Sequence, residues 1–201
     1  MSVAAKERGK GWGEALAAFA TPSAWTMFFF GFASGLPFLL VGVTLAYWLR
    51  EGGIELRSIT MIASAGLAYS FKFLWAPLVD RWRLPILGRL GLRRGWLVLA
   101  LICIAAGLFA MAQLGPERLS AFVVLTLLVA FAGATLDIVV DAYRVEIAPI
   151  EAQGALVATY SLGYRIALII SGAVALVLAD HLPWPWVYRA MAVFLLIPLL
   201  A

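Results

Sequence analysis

Four charged side chains stand inside long apolar runs of this sequence, and their types and positions suit them to chemistry. Lys72 lies in Tyr69-Ser-Phe-Lys72-Phe-Leu-Trp75, and Arg165 in Tyr160-Ser-Leu-Gly-Tyr164-Arg165. Asp137 and Asp141 lie in Asp137-Ile-Val-Val-Asp141-Ala-Tyr-Arg144. A charge at the centre of a membrane helix costs about 2.5–3.5 kcal/mol on the insertion scale, so it is kept only where it faces a bundle interior and meets a partner. Asp137 and Asp141 are four residues apart, with Arg144 three further on, which puts all three on one helical face. A carboxyl group held out of water favours its neutral form, and a neighbouring like charge strengthens that preference. Such a group can take up and release protons near neutral pH, as a proton-coupled carrier requires; a nearby cation opposes this. The competing reading is that the aspartates pair with Lys72 or Arg165 and only fix helix packing. Asp141 and Arg144 are topological alone if they sit at the inner membrane surface.

Ser161, Arg165 and Gly172 share one face of their helix, where the Arg165 fork can hold a substrate carboxylate in a bidentate contact. Tyr69, Tyr160 and Tyr164 can stack on a sugar ring or donate hydrogen bonds, against the plainer reading that they pack. Gly31-x-x-x-Gly35 permits close helix approach, and Pro37 permits a kink. Cys103, the single cysteine, sits in an apolar run without metal-ligand spacing around it and reads as a small buried residue. No metal ligand set is expected. Gly133-x-x-x-Asp137-x-x-x-Asp141 matches the end of the CDP-alcohol phosphotransferase signature. The upstream acidic and Ala-Arg positions of that signature are here Leu119-Ser120 and Val123-Val124, so half of its ligands are missing and the enzyme reading is remote.

The elements that must position these side chains are membrane helices. Of 201 residues 64% are hydrophobic and only 13% charged, and the mean hydropathy is +0.99. Soluble domains carry about 25% charged residues. A helix crosses the hydrocarbon core in about 20 residues, and the apolar runs meet that length without the alternation of a β-barrel. The reading is an all-α membrane protein in which a 1–24 cytoplasmic segment precedes a 25–201 bundle of six spans. Within the first segment Trp12 and Leu16 suggest a short interfacial helix. The spans run over about Trp25–Leu49, Ser58–Val79, Gly95–Gln113, Leu119–Tyr143, Gly154–Ala179 and from Trp186 onward. The first is too long for a cleavable signal and is expected to stay as an anchor. The sixth is still apolar at Ala201, so the chain reads as truncated or as half of a larger molecule. Trp25, Trp48, Trp75, Trp82, Trp96, Trp184 and Trp186 fall near span ends, where an aromatic belt belongs.

Lysine and arginine counts orient the bundle. With the N-terminus inside, nine fall on inner segments (Lys6, Arg8, Lys10, Arg81, Arg83, Arg89, Arg93, Arg94 and Arg144) and three, Arg50, Arg57 and Arg118, on outer turns. That bias predicts a cytoplasmic N-terminus. It also accounts for the net charge of +4 without a nucleic-acid partner.

Several long stretches, in order, resemble the AmpG-type muropeptide permeases of the major facilitator superfamily. They are Gly31-Phe-Ala-Ser-Gly35-Leu-Pro37, Tyr69-Ser-Phe-Lys72-Phe-Leu-Trp-Ala-Pro77-Leu-Val-Asp80-Arg81, Arg93-Arg94-Gly95-Trp96, Asp137-Ile-Val-Val-Asp141-Ala-Tyr-Arg144, and Gln153-Gly154 with Leu162-Gly163-Tyr164-Arg165. The resemblance implies a carrier of twelve to fourteen helices, of which this chain supplies the first six. It implies import of anhydromuropeptides across a bacterial inner membrane by proton symport, for peptidoglycan recycling. The expected partners are then the lipid bilayer, the muropeptide and a C-terminal half, with the proton gradient in place of a cofactor. The loop after the second span looks like the superfamily's inner loop motif, with Ala76 in place of glycine. Asp80 with Arg81, Arg89, Arg93, Arg94 and Arg144 is expected to lock the inward gate. The alternative is a half-bundle that binds a partner half without transporting.

Overall fold

The computed structural model describes residues 19–200, all of whose regular elements are helical. Lys6, Arg8, Lys10, Trp12 and Leu16 lie outside the described residues, so the expected 1–24 segment is seen only from residue 19.

The first span is two helices in line, α1 (Pro22–Leu40) and α2 (Val43–Glu51). Thr21 caps α1, accepting from the Ala24 N–H at 3.3 Å, and Pro22 follows where no N–H is needed. Pro37 sits inside α1, which gives way at Val41–Gly42. The second region is helical from Leu56 to Arg81 but is not one α-helix: α3 (Leu56–Ala63), α4 (Leu67–Phe71) and α5 (Ala76–Arg81) are joined through 3₁₀ turns at Ser64–Gly66 and Lys72–Leu74. The continuous second span expected from the sequence is therefore broken beside Lys72. A 3₁₀ turn winds tighter and points its side chains differently, which hydropathy does not report.

Next come α6 (Leu92–Leu114) and α7 (Leu119–Ile147), two long helices joined by a turn in which Gly115 has φ +62. The fifth span is α8 (Gln153–Ile169), a π turn over Ile170–Val174, and α9 (Ala175–Ala179). The chain closes with α10 (Trp184–Phe194) and a 3₁₀ turn, Ile197–Leu200. Four stretches are long and apolar enough to cross a membrane as unbroken helical segments: Pro22–Glu51, Leu92–Leu114, Pro116–Ile147 and Ile150–Ala179. The second and sixth regions supply the remaining helical passes.

Glycine sets the closest approach in the bundle. A Cβ on Gly31 would collide with the Tyr160 carbonyl, one on Gly35 would lie 2.6 Å from the Tyr164 carbonyl, and one on Gly163 would strike the Phe28 carbonyl. The expected Gly31-x-x-x-Gly35 contact thus forms, with α8 as its partner. This close packing is what brings Tyr160 and Tyr164 alongside α1.

At two places where the backbone departs from a regular α-helix, a hydroxyl from a neighbouring element binds a carbonyl, as a bilayer interior without water favours. Thr44 Oγ1 donates to the Ser171 carbonyl in the π turn at 2.6 Å, and Tyr188 Oη donates to the Leu40 carbonyl at the α1 break at 2.7 Å. The end of the bundle that holds α2 and the start of α10 is further knit by Trp184 Nε1 donating to Glu51 Oε2 at 2.6 Å, and by Trp48 packed on Trp184 and Tyr188. Trp48 and Trp184 are buried rather than belt residues, because their rings fill the core at that end and Glu51 satisfies the Trp184 N–H. Trp25, Trp82 and Trp186 are exposed, as a belt requires.

Candidate functional site

Asp137 is the centre of a polar cluster in the apolar bundle. It projects from the middle of α7, with its side chain only 13% exposed. Lys72, in the 3₁₀ turn of the second region, places Nζ 3.4 Å from Asp137 Oδ2. Tyr160 Oη donates to Asp137 Oδ1 at 3.5 Å from α8. Three segments far apart in sequence therefore meet at one carboxylate. Both contacts are at the long end of hydrogen-bonding range, so the group is held loosely. The Lys72 side chain is one-third exposed, so it touches the carboxylate and also open surface.

Tyr164 follows Tyr160 by one turn of α8, their rings 6.2 Å apart. The Tyr69 hydroxyl lies against Gly133, one turn before Asp137, where a Cβ would collide with it. Its ring meets Phe38 edge-on at 5.2 Å. Trp75 braces the second region on α7, stacking on Phe131 at 4.5 Å while its Nε1 donates to Thr135 Oγ1 at 3.1 Å. Lys72 is thus fixed from both sides, by Tyr69 before it and Trp75 after it.

The two aspartates differ sharply in surroundings. Asp141 is 58% exposed and meets Arg144 Nη2 at 3.8 Å, one turn along its own helix. Arg165 is exposed on α8 and forms no ion pair among the described residues. The proposed pairing of an aspartate with Lys72 is formed at Asp137, and the pairing with Arg165 is not. Arg165 shares its exposed α8 face with Leu162 and Ile169, which leaves it open to a partner or ligand from outside this bundle.

At the other end of α7, Arg93 ties three segments. Its Nη1 donates to Asp80 Oδ1 at 2.6 Å, at the end of α5, and its Nε donates to Glu146 Oε1 at 2.9 Å, near the end of α7. The Arg93 side chain is 15% exposed, its partners about half. Arg81, Arg89 and Arg94 close no ion pair among the described residues. Arg94 instead lines a cavity of about 300 Å³ with Thr26, Phe30, Leu97 and Tyr143. Gln153 donates to the carbonyls of Arg144 and Ala148, at 3.1 and 2.9 Å, and so closes the open end of α7.

Sequence reasoning missed Glu146 and Ser34. Glu146 follows the Arg144 motif by two residues and has the sign that matches the basic loop. Ser34 lies inside the quoted Gly31–Pro37 stretch, but one serine among small residues reads as packing.

Residues 24–201 match the family model described as Major Facilitator Superfamily. The chain is 44% identical over 155 residues to "Putative transporter AmpG 4" of Rickettsia conorii, covering 77% of this chain and 37% of that protein. It is 41% identical over 180 residues to "Anhydromuropeptide permease" of Escherichia coli strain K12, covering 89% of this chain and 36% of that protein. An uncharacterized protein of Haemophilus influenzae is 37% identical over 169 residues, covering 84% of this chain and 39% of the relative. The chain therefore spans a little over a third of the length of the curated relatives it matches.

Proposed function

The chain belongs to the Major Facilitator Superfamily, and from that premise we propose that it works as the N-terminal part of a secondary carrier importing anhydromuropeptides across a bacterial inner membrane by proton symport. The substrate class is supported by the similarity to an anhydromuropeptide permease. The coupling is supported by one observation above all, the Lys72–Asp137 pair at 3.4 Å, enclosed by tyrosines.

The pair supplies a coupling mechanism. With Asp137 ionised, Lys72 has its counter-ion and little need of another. A proton on Asp137 removes that counter-ion and leaves a cation at a depth where unpaired charge is costly. Lys72 then takes a carboxylate from the substrate's peptide. Proton and substrate each make the other's binding more favourable, which is the reciprocity coupling requires. Asp141, exposed and paired with Arg144, is the weaker candidate for proton carriage. Tyr69, Tyr160 and Tyr164 line the approach to the pair, where their rings suit a sugar.

We assign Arg165 to substrate carboxylate binding, across the face that a C-terminal half would complete. Arg165→Lys keeps the charge but loses the planar fork. The expected result is an apparent Km raised by about fivefold or more at unchanged protein level. An unchanged Km would remove Arg165 from the binding site.

The basic bias supports a cytoplasmic N-terminus and a cytoplasmic Asp80–Arg94 loop. Arg89→Cys is then labelled by a membrane-impermeant thiol reagent only after permeabilisation; labelling in intact cells stripped of the outer membrane would invert the topology. The proposal as a whole is tested with vesicles holding the full-length protein. Labelled anhydromuropeptide should accumulate under an imposed proton gradient and merely equilibrate without one. Accumulation that ignores the gradient would end the symport reading.

A further inference from the structure

Six serine and threonine residues are buried among the described residues: Ser34, Thr44, Thr126, Thr135, Thr159 and Ser171. Thr126, Thr135, Thr159 and Ser171 each donate to the carbonyl one turn back along their own helix. Thr44 crosses to the π turn. Ser34 is the exception. It is fully buried, and its Oγ closes no hydrogen bond. A helical serine has the backbone carbonyl four residues back within reach, so leaving that bond unmade needs a cause. Ser34 stands on the stretch of α1 whose Gly31 and Gly35 meet the Tyr160 and Tyr164 backbone and whose Pro37 approaches Gly133, one turn before Asp137.

The Tyr69 hydroxyl is a second buried oxygen without a partner at the same place. It rests against Gly133, and Pro37, one turn after Ser34, approaches the same glycine. Two idle hydroxyls, one from α1 and one from α4, thus border a carboxylate that is held only at 3.4 and 3.5 Å by Lys72 and Tyr160. The other ionisable groups facing Asp137 are Lys72 and Tyr69 from the second region, Asp141 from α7 itself, and Tyr160 and Tyr164 from α8.

We propose that Ser34 is a positioning residue for Asp137, its hydroxyl serving with that of Tyr69 as the hydrogen-bond partner the carboxyl takes when Lys72 leaves it for the substrate. The inference rests on the reading of Asp137 as the proton-carrying group. A protonated carboxyl has one O–H to donate and one oxygen to accept with, and a hydroxyl can answer either. Only an O–H bond forms and breaks. A proton from water on the outer side adds to a carboxylate oxygen, Lys72 keeps its own proton, and the added proton leaves to inner water. Without Ser34 the neutral carboxyl would have one hydroxyl fewer to meet its donor and acceptor, and the loaded state would be disfavoured.

The test uses the full-length protein in vesicles and compares substrate exchange at equilibrium with accumulation under an imposed proton gradient. Ser34→Ala should reach the membrane at the normal level and exchange within about twofold of wild type, while driven accumulation falls by about fivefold or more. Ser34→Cys, which keeps the size but offers only a weak hydrogen-bonding group, should shift the balance in the same direction, and it carries the test alone if Ser34→Ala fails to accumulate in the membrane. Normal driven accumulation in these variants, with Asp137→Asn uncoupled, would overturn the inference and leave the coupling reading intact. Equal loss of exchange and accumulation would also overturn it, as a packing defect. Normal accumulation by Asp137→Asn would overturn the coupling reading and this inference together.

Discussion

Replacing Asp137 by asparagine is expected to leave a protein that reaches the membrane and equilibrates substrate but no longer concentrates it. Asparagine keeps the shape and accepts a hydrogen bond from Lys72, so the packing of α7 against the second region survives. It cannot carry a proton. The proton then no longer binds one state of the carrier better than another, and a ligand without differential affinity shifts no equilibrium. The accumulation ratio in gradient-driven vesicles should fall to about one. Asp141→Asn is the control. Its carboxylate is 58% exposed and already faces Arg144, so its loss should cost less than about twofold in the same assay, as exposed pairs contribute little. Wild-type accumulation by Asp137→Asn would show that the proton is carried elsewhere. A larger effect at Asp141 would move the coupling site one turn along the helix.

The contrast between these two aspartates shows where sequence reading stops. Four-residue spacing put both on one helical face, and that was correct as geometry. The spacing did not say how far along the helix the neighbouring segments extend. Lys72 of the second region and Tyr160 of α8 close on Asp137, whereas Asp141 one turn on meets only Arg144 of its own helix and stays exposed. Helix count, apolar length and the Gly31–Gly35 contact were legible because composition and small-residue spacing carry them directly. The 3₁₀ turn at Lys72–Leu74 was not legible, since hydropathy is blind to winding. It nonetheless decides which way Lys72 points. The same limit hid the π turn at Ile170–Val174 and its bond from Thr44, 127 residues away in sequence. Ser34 was quoted inside a motif, yet its lack of a partner is a fact about three helices at once.

The second large effect is expected at Arg93. We propose that the contacts of Arg93 to Asp80 and Glu146, at 2.6 and 2.9 Å, hold the inner ends of three segments together when the inward gate is closed. One guanidinium reaches both carboxylates because Nη1 and Nε point in different fixed directions. A lysine offers one compact charge and cannot span them. Arg93→Lys should therefore hold one segment and release another, while Arg93→Ala should release both and leave two carboxylates repelling each other. Asp80 and Glu146 are about half exposed, so each pair alone is worth little in water. The effect expected from Arg93 comes from joining three elements at one point rather than from either bond. Driven uptake should fall by about fivefold or more in Arg93→Ala, with an intermediate loss in Arg93→Lys. Cytoplasmic labelling of a Tyr143→Cys reporter, one helical turn inward from the latch, should become faster in the same order. Wild-type labelling in both variants would show that the inner ends are held by packing, and Arg93 would then be a topological charge like its neighbours. High salt separates the two cases further, because a charge latch weakens as the Debye length shortens and an apolar contact does not.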